Sequence, residues 1–219
     1  MKNKKSFFIT VEGCEGSGKT TQSQLLKKYL QSKGFDVVLT REPGGSIVAE
    51  QVRNILLNPD FKVAPFCELM LYEASRAQHL SEIIKPNLEK GVTVICDRFV
   101  DSTLAYQGYA RGIDIKVITK LNDIASCGIK PDLTIYLDIP AGEGIKKAKS
   151  VDKGGLTGGD RIERENIKFH NKVRKGFLQL AKLYPERIKK IKTDKVIEKT
   201  QKKINKIIDD FFKKKKIYV

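Results

Sequence analysis

The sequence predicts an α/β fold, doubly wound around a parallel five-stranded sheet with helices on both faces, and three observations carry that prediction. Short unbroken apolar runs rich in β-branched and aromatic residues recur along the chain, as strands covered on both faces require. Stretches of helical period lie between them, so strand and helix alternate. The first apolar run also passes into the first helical stretch through a glycine-rich turn, "GCEGSGKT" at 13–20.

The strands are read at "FFITV" (7–11), "DVVLT" (36–40), "VTVIC" (92–96) and "LTIYL" (133–137), with a weaker fifth at "RIKKIK" (187–192). The first helix is expected over Thr20–Lys33, stopped by Gly34, and others over Ser46–Leu57, Glu68–Glu89 and Ile162–Tyr184, the last followed by Pro185. A final helix over about 196–216 carries Ile197, Ile204, Ile208 and Phe211 on one face and lysines on the others, the pattern of a helix docked on the sheet. "KSVDKGGLTGGD" (149–160) holds four glycines between two helical patterns, the composition of a hinged lid. With 219 residues, 40% of them apolar, and no interdomain linker, the chain is read as one domain.

The formal charge of +16 brings nucleic acid into consideration. Residues 187–219 hold 13 Lys/Arg and 4 Asp/Glu, a local +9, so the excess sits mainly in a tail whose lysines are not interleaved with stacking aromatics, and nucleic acid is not expected as the main ligand. Cys14, Cys67, Cys96 and Cys127 are far apart with no C-x-x-C, which suits reduced thiols in a cytoplasm. The basic start resembles a leader, but its apolar run ends after five residues, and nothing approaches the ~20 apolar residues of a membrane span. No His/Cys/Asp cluster has metal-ligand spacing, and His79 and His170 are read as structural or surface residues.

"GCEGSGKT" fits G-x-x-x-x-G-K-[ST], with a strand before it and a helix after it: the phosphate-binding P-loop. Gly13, Gly16 and Gly18 let the loop through Cys14, Glu15 and Ser17 turn its amides inward, and the helix N-terminus adds positive charge. Lys19 can reach the β- and γ-phosphates of ATP, and the Thr20 hydroxyl can ligate Mg²⁺. Asp97 ends the third strand at the carboxyl edge of the sheet, where it can hold the same ion, or else cap the next turn. "DKGG" at 152–155 matches D-x-x-G, but no N-K-x-D follows, so guanine nucleotides are not indicated. Glu15 is the oddity: a carboxylate in the middle of an anion cradle.

Together with "TREPGG" (40–45), Arg53 in "AEQVRNILL", "LYEASRAQH" (71–79), "DRFVDSTLAYQGYARG" (97–112) and "GDRIE" (159–163), the loop closely resembles bacterial thymidylate kinases, from about Phe7 to Tyr184 and in the same order. The resemblance implies a P-loop kinase fold with a lid, transfer of a phosphoryl group from Mg·ATP to dTMP by direct in-line attack, and a cytoplasmic homodimer. It implies that Glu15 faces the acceptor and hydrogen-bonds the sugar 3′-hydroxyl, and that Arg53 and Arg98 grip the acceptor phosphate. It further implies that Tyr72 stacks on the base, that Arg76 and Gln107 meet its polar edge with Thr103 nearby, and that Tyr106 crowds the 2′ position. Taken singly, each of these residues also suits a salt bridge, a cap or the core.

One departure stands out. Relatives without a P-loop arginine bring one from the lid, whereas the helix entering the lid here reads "IKKAKS", with Lys147 and Lys149 in the expected places. Arg161 is then the remaining guanidinium, at the lid's far end, expected to act in catalysis by contacting the donor nucleotide or else only to brace the lid. Two other readings remain open at this level: a P-loop ATPase or switch acting on a partner, and a sister nucleoside monophosphate kinase.

Overall fold

The computed structural model of the protein describes residues 6–150 and 159–217. Most of the expected lid, including Lys153 and the D-x-x-G at 152–155, lies outside the described residues.

Five strands, β1 (Phe8–Gly13), β2 (Val37–Arg41), β3 (Thr93–Asp97), β4 (Leu133–Asp138) and β5 (Ile188–Lys192), form one parallel sheet in the order β2-β3-β1-β4-β5. Every residue of β1 and β4 is buried, which is why their sequences read as apolar runs without alternation. The chain leaves β1 toward β2 on one side and crosses from β3 to β4 on the other. That reversal opens a crevice at the carboxyl ends of β1 and β3. The register pairs Val11 with Asp97, so the loop that follows Gly13 emerges beside Asp97 and Arg98.

The helices are α1 (Lys19–Ser32), α2 (Ile47–Leu57), α3 (Pro65–His79), α4 (Lys85–Glu89), α5 (Val100–Thr103), α6 (Ile115–Ala125), α7 (Ala141–Lys149), α8 (Ile167–Leu183) and α9 (Ile197–Lys214). Turns of π width at Leu80–Ile84 and Leu104–Ala110 continue α3 into α4 and extend α5. One cluster joins Leu26 and Leu30 of α1 and Ile204, Ile208 and Phe212 of α9 to Ile9, Val11 and Ile135 of the sheet. A second joins Phe169, Val173 and Phe177 of α8 to Tyr106 and Tyr136.

Several boundaries differ from the sequence expectation. The third helix begins at Pro65, three residues early, because proline suits a first helical turn whose N–H is unpaired anyway. The eighth begins at Ile167, not Ile162: the Asp160 carboxylate accepts the N–H groups of Ile162 and Glu163 in a separate turn, and the Asn166 side chain then caps the helix by accepting from Phe169 N–H. On α9 the buried stripe is Thr200, Ile204, Ile208 and Phe212, spaced by four; Ile197 is exposed and Phe211 only partly covered.

Candidate active site

The P-loop leaves β1 and tightens through Gly16 (φ 66°) and Gly18 (φ 86°), left-handed conformations that an L side chain would strain. At Gly16 a Cβ would also meet the Gly144 carbonyl oxygen of α7 at 1.9 Å, so the loop is seated on the helix that leads toward the lid. No side chain caps α1, whose first outside bond runs from Gln22 N–H to the Gly18 carbonyl; its opening amides face the crevice end of the loop as an anion site. Lys19 Nζ donates to the Cys14 carbonyl at 2.9 Å, inside the cradle, and burial together with Arg98 lowers its pKa. The Ser17 hydroxyl is buried with no partner among the described residues. Burial, reinforced by Glu15, pushes the Cys14 thiol up to about 12, leaving this residue its backbone role. Thr20 Oγ1 donates to Asp97 Oδ2 at 2.9 Å, so the two expected metal ligands already touch.

Glu15 lies across the crevice from that pair. Its Oε1 accepts from Arg98 Nη2 at 2.9 Å and from the Tyr106 hydroxyl at 2.7 Å, and His170 Nδ1 stands 3.5 Å from Oε2. Burial alone would raise its pKa; Arg98, His170, Lys19 and Tyr106 reverse this and hold the carboxyl far below the usual range. Arg98 itself sits at φ 75°, in the left-handed region, and its Nη1 donates to the Gly13 carbonyl at 3.0 Å and Ser102 Oγ at 3.2 Å. Arg53 Nη1 donates to the Pro43 carbonyl at 2.9 Å; burial, aided by the neighbouring Arg41, lowers its pKa, the mark of a cation short of negative charge.

From the P-loop the cavity, about 420 Å³, runs past Arg53 and Arg98 to Tyr72, Arg76, Thr103 and Gln107. Arg76 is 2% exposed and donates to Glu42 (2.9 Å), Glu73 (2.8 Å), Asn122 (2.6 Å) and Thr103 (2.8 Å), which leaves one Nη2 hydrogen among its five. Gln107 Nε2 donates to Glu68 at 2.8 Å. The phosphate-binding loop, two arginines, a tyrosine and an amide thus share one cavity.

The thymidylate kinase family profile matches residues 11–204. The chain belongs to the thymidylate kinase family. It is 50% identical over 186 residues to the thymidylate kinase of Syntrophotalea carbinolica, covering 84% of this chain and 86% of that one. It is 48% identical over 198 residues to that of Exiguobacterium sp., covering 90% and 91%. The crystal structure of thymidylate kinase from Ehrlichia chaffeensis superposes with a TM-score of 0.74 at 38% identity, over 93% of this chain and 98% of that one. Sheet, helices and P-loop are therefore those of the thymidylate kinase fold.

Arg161, the guanidinium expected to act in catalysis or to brace the lid, is engaged within the protein. Its Nε donates to the Leu56 carbonyl at 2.7 Å and its Nη1 pairs with Glu68 at 2.6 Å, where, with Arg111, it compensates a fully buried carboxylate. Lys147, by contrast, lines the cavity. His79 and His170 are both buried: His79 bonds Thr40 and Glu42, and His170 backs Glu15. The fold also gathers Glu42, His79 and Cys96 within 4.8 Å of one another, a cluster that no sequence spacing reveals. His79 is already engaged through both ring nitrogens, and Cys96 Sγ donates to the Arg98 carbonyl at 3.0 Å. Sequence reasoning missed Glu42, Glu68 and Ser102. Glu42 stands in the quoted "TREPGG" and Ser102 in "DRFVDSTLAYQGYARG", but nothing local marks Glu68, which lies behind Gln107.

Proposed function

We propose that this protein transfers the γ-phosphoryl group of ATP directly to the phosphate of dTMP, yielding dTDP and ADP on the way to dTTP. Membership of the family supports the reaction, and one observation carries the reading: P-loop, arginine pair and base-edge residues line a single cavity. In this reading Lys19 and the loop amides hold the donor phosphates, while Arg53 and Arg98 fork onto the dTMP phosphate and cancel its repulsion from ATP. Glu15 accepts the sugar 3′-hydroxyl, Tyr106 stands at the 2′ position, Tyr72 covers the thymine face, and Arg76, Thr103 and Gln107 meet the base edge. The acceptor oxygen is already anionic, so positioning and charge do the work and no strong base is required.

A hydroxyl and a carboxylate oxygen in contact at the mouth of the P-loop suit a hard divalent cation. Thr20 and Asp97 would hold Mg²⁺ there, and its chemistry would be to neutralise charge on the donor phosphates. The lid cation is assigned to Lys147 on the strength of its place in the cavity wall, with Arg161 bracing Glu68 instead.

The chain is read as one kinase domain acting in the cytoplasm; among the described residues no helix is long and apolar enough to cross a membrane. Ile47 and Val48 of α2 and Phe66 and Met70 of α3 are exposed, and this apolar face is proposed as the seam of a homodimer. The test is ADP release from Mg·ATP with dTMP, dUMP, dCMP, dGMP or AMP offered in turn. dTMP is expected to lead. Preference for AMP or dCMP would make the chain a sister kinase, and turnover indifferent to every acceptor would make it an ATPase.

A further inference from the structure

Glu68 on α3 is wholly buried and belongs to none of the roles above. Its carboxylate accepts from Gln107 Nε2 at 2.8 Å, from Arg111 Nε and Nη2 at 3.1 Å each, and from Arg161 Nη1 at 2.6 Å. Burial favours its protonated form, but Arg111, the Gln107 amide and Arg161 outweigh that, and its pKa is lowered. An ionised carboxylate only accepts. The Gln107 side chain must therefore turn its NH₂ toward Glu68, whichever way an amide would otherwise settle. Its Oε1 is left as the group that Gln107, a residue of the cavity wall, can offer to a base; no hydrogen bond within the described residues engages it.

We propose that Glu68 sets the acceptor specificity of the site. By holding the Gln107 nitrogen it compels Gln107 to present a hydrogen-bond acceptor, which selects a pyrimidine whose ring N3 carries a hydrogen and rejects one whose N3 bears a lone pair. The neighbouring position is built as the complement: Arg76 keeps one Nη2 hydrogen, and Thr103, which accepts from Arg76 and bonds the Glu73 carboxylate, holds that guanidinium in place. An acceptor beside a donor matches the N3–H and 4-oxo edge of thymine or uracil. Against cytosine, with an N3 lone pair and a 4-amino group, both contacts clash like with like, and sites of this kind discriminate strongly because buried polar groups are left unpaired. Arg111 and Arg161 serve by keeping Glu68 ionised. Thymine and uracil share the selected edge, so this device separates dTMP from dCMP and leaves dTMP against dUMP untouched.

The inference rests on the reading that Gln107 faces the base, and the test separates the two. In Glu68→Gln the arginines claim the new amide oxygen, its NH₂ turns to Gln107, and the ratio of kcat/KM for dTMP over dCMP falls at least ~10-fold while the ratio for dTMP over dUMP stays put. Glu68→Asp keeps the charge that the arginines need, guarding against misfolding, yet draws the carboxylate back from Gln107; the same fall is expected. Retention of the dTMP over dCMP ratio by a folded Glu68 variant overturns the proposal. In Gln107→Leu the ratio should collapse with Glu68 intact; if it survives there, the base-edge assignment of Gln107 is wrong, and the role of Glu68 goes with it.

Discussion

Glu15 sits beside an anion cradle without repelling what the cradle holds because it is not aimed there. Arg98, Tyr106 and His170 surround it, and a carboxylate with that many donors keeps its charge at no cost to the phosphates behind it. Glu15→Ala is expected to raise KM for dTMP roughly 10- to 100-fold, the worth of a charged hydrogen bond, while KM for ATP changes little. Equal KM values for dTMP in mutant and wild type would mean that Glu15 only pairs with Arg98. Glu12, one step before the loop, is the opposite case. Burial, with Asp101 adding to it, pushes its carboxyl from 4.5 up to about 8, while Phe99 N–H and Ser102 bond to it. The folded state thus binds this proton more tightly than the unfolded chain. Its stabilisation is complete below about 4.5 and is lost as pH rises through about 8. Glu12→Gln, which stays neutral, should gain in Tm relative to wild type across that window; parallel Tm–pH curves would refute it. Nothing in the sequence distinguishes these two glutamates by type, and only their surroundings give one a charge and the other a proton.

Elements were legible where local chemistry decides them and blurred where tertiary contacts do. All five strands were read within a residue or two: β1, β3 and β4 are buried, unbroken apolar runs, while the lysine-bearing β5 buries only Ile188 and Ile191. Between β3 and β4, α5 was not anticipated because it is a single turn continued at π width whose pattern never settles into one period. On α9 the apolar pattern pointed to Phe211, but the buried stripe runs through Thr200, whose hydroxyl accepts from Asp194 N–H, and a polar residue is invisible to a search for apolar faces. Phe212 is the residue that enters the core, its ring 5.0 Å from Phe35 and 5.8 Å from Phe7. Phe212→Ala should cost about 3–5 kcal/mol in urea unfolding, and Lys213→Ala almost nothing. Comparable losses would show that α9 is not docked through this ring. The residues that line the cavity are named by motifs kept in order, whereas Arg161 could be placed only by knowing where the buried Glu68 lies.

At the scale of the whole molecule, strand order does the decisive work. Because the chain reverses direction around β1, the P-loop, Asp97 and Arg98 meet at one edge of the sheet, and α3 and the turns after α5 close the far end of the same groove. The exposed apolar face of α2 and α3 gives a second molecular prediction: the protein sediments as a dimer, and Ile47→Asp with Phe66→Glu makes it a monomer. A monomeric wild type at micromolar concentration would remove that face from the account. A crystal structure with dTMP and a non-hydrolysable ATP analogue bound together would show whether the two nucleotides meet in this groove. A phosphate oxygen of dTMP is expected in line with the γ-phosphorus at about 3–3.5 Å, between Arg53 and Arg98, with the thymine on Tyr72. A thymidine lodged elsewhere, its phosphate remote from the triphosphate end, would contradict it.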